Sequence, residues 1–181
     1  MKRDRFPRYA IAFIVAGVVL IIDQTTKAAA IANLSETERI PLLGAALGLQ
    51  LAFNPGAILS FGSEATWLLT VVGVGAIVAL FLAAMRARTA WWACGWGFVL
   101  GGALGNVLDR LFAPPAFGRG QVTDFLAYGH LFIGNLADVA LGIGGVILVV
   151  GIMLDQRAAR RTGSAADDTN ETDRLREAPV E

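Results

Sequence analysis

Four stretches of the chain stay apolar for close to the roughly 20 residues a helix needs to cross a bilayer, at residues 9–32, 66–85, 91–112 and 135–154. The second and third are joined by the short "RARTA", whereas longer segments, 33–65 and 113–134, follow the first and third. In the first of these, "LGLQLAFN" at 47–54 alternates Leu47, Leu49, Leu51 and Phe53 with smaller or polar residues, the period of two of a half-buried strand. "NPG" then marks a turn, and "AILSF" beyond it is the expected hairpin partner. The pattern therefore predicts an all-α integral membrane protein with four transmembrane helices and a small β-hairpin or sheet region, over about 36–63, on the outer membrane face. After Leu154 the periodicity lapses into "DQRAARRTGSAADDTNETDRLREAPVE", which offers too few apolar side chains to offset chain entropy and predicts a disordered cytoplasmic tail over 155–181. Residues 1–154 form the expected membrane domain.

Composition agrees: 55% of the 181 residues are hydrophobic and 17% charged, more apolar than a soluble domain of this size. Lys plus Arg balance Asp plus Glu at 15 each, so no global charge points to nucleic acid and the information lies in where charges sit. Lys2, Arg3, Arg5 and Arg8 precede the first helix, Arg86 and Arg88 join the second and third, and Arg157, Arg160 and Arg161 follow the fourth. By the positive-inside rule these mark the cytoplasmic side, so both termini are expected there and the two longer segments outside. The N-terminus imitates a secretory signal, but the polar "DQTTK" between the apolar run and the alanines fits a retained helix better. Trp91, Trp92 and Trp96 read as an interfacial anchor. The lone Cys94, within an apolar run, is assigned no role.

Charge inside the apolar frame changes the picture. "GNVLDR" at 105–110 places Asn106, Asp109 and Arg110 at i, i+3 and i+4, on neighbouring helix positions. With about 1.5 Å rise per residue, Asp23 lies roughly 21 Å beyond Tyr9 and Asp109 roughly 27 Å beyond Trp91, both near the outer surface. Asp138 opens the inward-running fourth helix and Asp124 lies on the loop before it. Four aspartates thus converge on one level, where a single one at a helix centre costs about 2.5–3.5 kcal/mol. Structural readings exist for some: Asp138 suits a helix N-terminus, and Asp109 has Arg110 or Lys27 as a partner.

Exclusion narrows the chemistry. One histidine, His130, leaves no His pair for a zinc protease and makes a Ser-His-Asp triad rest on one loop residue. A Ser-Lys dyad of Lys27 with Ser60 or Ser63 is a weak signal, since Lys27 also reads as the counter-ion of Asp23. Paired aspartates remain: two carboxylates held close do not both ionise cheaply, so one keeps a proton while the other acts as base. Asp124 and Asp138 are the natural pair, with Asp23 and Asp109 better placed as scaffold.

At this point the motifs carry a family. "DQTTK" at 23–27, "NPGAILSF" at 54–61, "GGALGNVLDR" at 101–110, "VTDF" at 122–125 and "NLAD" at 135–138 occur in the order of the bacterial lipoprotein signal peptidases, or signal peptidase II, which this chain resembles. The resemblance implies an intramembrane aspartic endopeptidase of the bacterial inner membrane that removes the signal peptide from a prolipoprotein just before its diacylglyceryl-modified cysteine. It implies Asp124 and Asp138 as the catalytic dyad and Asp23, Lys27, Asn54, Gly56, Asn106, Asp109, Arg110 and Asn135 as binding or supporting residues. No metal or cofactor is implied; the expected partners are the prolipoprotein and membrane lipids, and the expected state is a monomer.

Residue by residue, Asn106 and Arg110 suit hydrogen bonding to substrate backbone or lipid ester oxygens, or to neighbouring helix ends. Asn135, three residues before Asp138, is placed to orient it. Gly101, Gly102 and Gly105 form a smooth stripe for close helix packing. The chain departs from the family pattern at Gly134, where Phe is usual, at Pro55 and Ile58, and in a short segment between Asp124 and Asp138. Two other classes use the same acids: a small proton-linked transporter, whose acids should line a route across the membrane, and a non-enzymatic assembly factor, in which Asn at 124 or 138 would preserve function.

Overall fold

The computed structural model describes residues 8–56 and 65–177. The chain runs α1 (Arg8–Asn33), β1 (Ile40–Leu43), β2 (Leu47–Asn54), α2 (Thr66–Met85), α3 (Ala90–Phe112), β3 (Val122–Tyr128), β4 (Phe132–Gly134) and α4 (Leu136–Glu177). Among the described residues three helices are long and apolar enough to cross a membrane: α1, α2 and the Leu136–Ala158 part of α4. Their large side chains face outward, Ile21 at 67% and Val146 at 65% exposure, a distribution that suits lipid rather than water.

α3 is the exception that organises the others. Its 23 residues are long enough to span, but they carry glycines and the polar "GNVLDR", and among the described residues α3 holds more buried positions than any other element. A Cβ at Gly97 would lie 2.7 Å from the Ala12 carbonyl oxygen, and one at Gly101 2.7 Å from that of Ala16. On another face of the helix, a Cβ at Gly102 would stand 2.6 Å from the Ala137 carbonyl. The glycines expected to form one stripe therefore serve two helices: Gly101 and Gly105, i and i+4, face α1 and Gly102 seats α4, while Gly97, one turn before Gly101, extends the seat for α1. Small residues supply packing here because lipid gives helices no hydrophobic reason to associate. An apolar cluster of Ala12, Ala84 and Ala93 closes one end of the bundle.

At the other end lies the sheet, four antiparallel strands in the order β1-β2-β3-β4. It is larger than the expected hairpin and differently paired. The neighbours of β2 are β1 and β3, while "AILSF", the expected partner, lies outside the described residues. A period-two pattern identifies a strand but not its partners, one of which, β3, here comes from far downstream at Val122–Tyr128. The register shifts between Leu49 and Ala52, where two residues of β2 face one of β3. This bulge ends the alternation: Leu49 and Leu51 both join the cluster of Ala30 and Phe125 under the sheet, and Phe53 is released toward open space at 39% exposure. Bulges re-aim side chains in this way beside functional sites.

The tail also departs from expectation. Where disorder is expected after Leu154, the backbone continues as helix to Glu177. A helix already nucleated upstream adds one hydrogen bond per residue, and the Ala, Arg and Glu residues of this segment favour continuation. Trp92 Nε1 donates to Asp155 Oδ2 at 3.2 Å and Trp91 Nε1 to the Ile147 carbonyl at 2.8 Å, so two of the expected anchor residues pin α3 against α4.

Candidate active site

The sheet, the ends of α1 and α3 and the start of α4 meet at one polar cluster, built up from the start of α4. Asn135 Oδ1 accepts the Asp138 N–H at 3.0 Å, and Asp138 Oδ2 accepts the Asn135 N–H at 3.2 Å. This reciprocal Asn-x-x-Asp pair satisfies two of the donors that a helix N-terminus leaves over. Asn135 is 1% exposed, and its Nδ2 donates to Asp124 Oδ1 at 2.6 Å. One amide side chain therefore touches Asp124 with one end and the Asp138 backbone with the other, which also fixes its orientation.

Asp138 Oδ1 accepts from Asn106 Nδ2 at 3.0 Å, and Asn106 Oδ1 accepts from Lys27 Nζ at 2.9 Å. An ammonium can only donate, so Lys27 forces the amide of Asn106 to present its NH2 to Asp138. Lys27 Nζ also lies 2.9 Å from Asp23 Oδ2 and 2.9 Å from Asp109 Oδ2. Gln24 Nε2 bridges the same acids, at 3.3 Å to Asp23 Oδ2 and 3.1 Å to Asp109 Oδ1. Of the alternatives open for Asp109, the structure has Lys27. Lys27 is committed to three acceptors, and Ser60 and Ser63, the other half of the Ser-Lys reading, lie outside the described residues.

A cavity of about 780 Å³ opens over this cluster, and its polar lining consists of Asn54, Gly56, Asn106, Arg110, Asp124, Asn135 and Asp138. Those are seven of the ten residues singled out in the sequence. Asp23, Lys27 and Asp109 are not in the lining; they are buried at 0%, 3% and 8% exposure, Lys27 one hydrogen bond back from it through Asn106 and the two acids behind Lys27. The face shared by Asn106, Asp109 and Arg110 thus divides, with Asp109 turned to α1 and β3 and the other two to the cavity. Arg110 donates to the carbonyls of Pro55, at 3.3 Å, and of Gly56. Its guanidinium braces the turn in which Asn54 Oδ1 accepts the Gly56 N–H at 3.0 Å, an Asx-type turn.

Sequence reasoning missed Gln24 and the apolar wall of Ala52, Phe53, Val122, Phe132, Ile133 and Leu141. Gln24 was legible as an amide inside an apolar helix; the wall was not, because apolar residues in an apolar chain carry no signal. Gly134, where the family pattern has Phe, lies against the site: a Cβ there would stand 2.9 Å from Asp138 Oδ2. Among the described residues no group of three or more His, Cys, Asp or Glu is arranged to hold a metal ion.

Burial raises the pKa of Asp124 from 3.8 to about 6, with a smaller push from the Asp138 charge; hydrogen bonds from Asn135 and Asn54 and the Lys27 charge oppose it. Near neutral pH this carboxyl exchanges its proton readily. Asn135→Ala removes the largest of the opposing contributions and a helix cap together. The expected result is an Asp124 pKa above 6 and a loss of about 1–2 kcal/mol of stability, read from infrared titration of the carboxyl and from thermal unfolding.

The class of protein is now defined: a multi-pass membrane protein with a carboxylate-lined cavity at one end of a helix bundle. A bacterial membrane enzyme solved by the in meso method at 2.3 Å resolution shares the fold, with a TM-score of 0.71 and 22% identity over 80% of this chain and 88% of that one. A second, at 1.9 Å, aligns with a TM-score of 0.67 at 23% identity over 78% and 91%. The family model described as signal peptidase (SPase) II matches residues 15–154. The lipoprotein signal peptidase of Rhodococcus jostii is 42% identical over 79% of this chain and 72% of its own length. That of Leifsonia xyli is 43% identical over 87% and 75%. The chain belongs to the lipoprotein signal peptidase, or signal peptidase II, family.

Proposed function

We propose that the protein is an aspartic endopeptidase of the bacterial inner membrane that removes signal peptides from diacylglyceryl-modified prolipoproteins, with Asp124 and Asp138 as its dyad. The observation that carries the reading is the single Asn135 side chain joined to both aspartates in a cavity that both line. Asp124, with its pKa near 6, holds the shared proton and donates it to the oxygen of the scissile carbonyl. Asp138, whose oxygens each accept one N–H, takes a proton from water as the water oxygen bonds to the carbonyl carbon. On collapse of the tetrahedral intermediate, the proton on Asp138 passes to the leaving amine and Asp124 recovers its own.

In this reading α3 is a fourth span, screened from lipid by the other three. Both termini are cytoplasmic and the cavity opens at the outer end, where a substrate arrives laterally from the bilayer as a monomeric enzyme's partner. The distribution of Arg and Lys supports that orientation. Against a transporter, the buried charges of the described helices crowd at one end, while Ala12, Ala84 and Ala93 close the other.

The test is cleavage of a synthetic diacylated prolipoprotein by the purified wild-type protein in detergent, read by gel shift and mass spectrometry. The expected product begins at the lipidated cysteine. Equal cleavage of the unlipidated substrate would remove the lipid requirement, and no cleavage by folded protein would overturn the peptidase reading.

A further inference from the structure

Each of the two aspartates of the dyad is preceded by a residue whose backbone N–H is held by a buried carboxylate from another element. Asp109 Oδ2, on α3, accepts the N–H of Thr123 at 3.0 Å, one residue before Asp124. Asp23 Oδ1, on α1, accepts the N–H of Ala137 at 2.9 Å, one residue before Asp138. The other oxygen of Asp23, and the same oxygen of Asp109, lie 2.9 Å from Lys27 Nζ. Lys27 spends its remaining donor on Asn106, which binds Asp138.

We propose that Asp23, Lys27 and Asp109 form a buried yoke that sets the separation and alignment of the two catalytic carboxylates, and that these three are positioning residues rather than substrate-binding ones. This rests on the dyad reading above. β3 and α4 approach from different directions, and the yoke ties both to the α1–α3 pair at the residue next to each carboxylate. Gly105 makes this possible: a Cβ on it would collide with the Asp23 carboxylate, so only glycine lets Asp23 pass between α1 and α3 to reach α4. The burial of all three residues, and their absence from the cavity lining, puts them out of reach of a substrate in the cavity. Proton transfer depends on carboxylate spacing, and a displacement of about 1 Å costs on the order of 10²-fold in rate.

The experiment measures kcat and KM for Asp23→Ala, Asp109→Ala, Asp23→Asn and Asp109→Asn, with Asp124→Asn in parallel and thermal unfolding in detergent for each. Both Ala variants are expected to lose about 10²-fold in kcat with KM within about threefold of wild type. The Asn variants keep an oxygen able to accept the backbone N–H and are expected to recover about tenfold of that loss. If the Ala variants do not fold, the Asn variants decide alone, through a lower kcat at unchanged KM. A raised KM at wild-type kcat assigns these residues to substrate binding and overturns the yoke; wild-type kcat in folded variants overturns it too. An inactive Asp124→Asn beside such variants leaves the dyad standing, whereas an active Asp124→Asn removes the dyad and the yoke with it.

Discussion

Asp124→Asn is expected to lose cleavage by about 10³- to 10⁴-fold, the upper range for a general acid or base, while unfolding at a higher temperature than wild type at pH 8. Asn keeps the size of the side chain and an oxygen for the Asn135 Nδ2, but it holds no proton to donate to the substrate. Its stability effect follows from the raised pKa of Asp124, about 6 in the fold against 3.8. A carboxyl raised in this way favours folding fully below about pH 3.8, and that contribution is lost as pH rises through about 6. Above it, the ionised and buried carboxylate costs on the order of 3 kcal/mol, which the neutral Asn does not incur. Wild type and variant should therefore converge near pH 4 and separate by pH 8. Asp138→Asn should be equally inactive, with no such gain, because its oxygens serve Asn106 and the α4 cap. Wild-type turnover by either variant would sink the dyad.

Lys27→Met is expected to cost about 3–5 kcal/mol of stability, the range for removing one partner of a buried ion pair. Asp23 and Asp109, 0% and 8% exposed, would face one another across an apolar methyl group, and Asn106 would lose the donor that orients it. Neutralising one acid should restore much of the loss: Lys27→Met with Asp109→Asn is expected to unfold closer to wild type than Lys27→Met alone, because a buried polar group without net charge costs far less than a bare carboxylate. Chemical or thermal unfolding of the three proteins in one detergent measures this. A change under 1 kcal/mol for Lys27→Met would mean that the acids are relieved by protonation or water, not by the ammonium.

Much of this was legible in the chain because its signals are local. The apolar stretches at 66–85 and 91–112 coincide with the helices α2 (Thr66–Met85) and α3 (Ala90–Phe112) within a residue, since a long apolar run bounded by basic or turn residues has few other solutions. Asp23, Lys27, Asn106, Asp109 and Arg110 stand out for the same reason, each being costly in an apolar helix. After Leu154 composition reports the lack of a core, whereas the helix that continues to Glu177 needs only a nucleus upstream. The strand at Leu47–Asn54 was legible, but its pairing with β3 was not, because that pairing joins segments distant in sequence.

By itself, the sequence determined the membrane class, the helices and the family and singled out ten residues, nine of them polar, all of which depends on residue type and local spacing. Only the tertiary structure decided how those ten divide. Asp109 and Arg110 are adjacent in the chain, yet a helix turns about 100° per residue, so one faces Lys27 and the other the cavity. Gly101 and Gly102 part in the same way, toward α1 and α4. Which direction is interior and which is cavity depends on where α1, α4 and β3 come to rest, and that is fixed by contacts between elements rather than by any one of them.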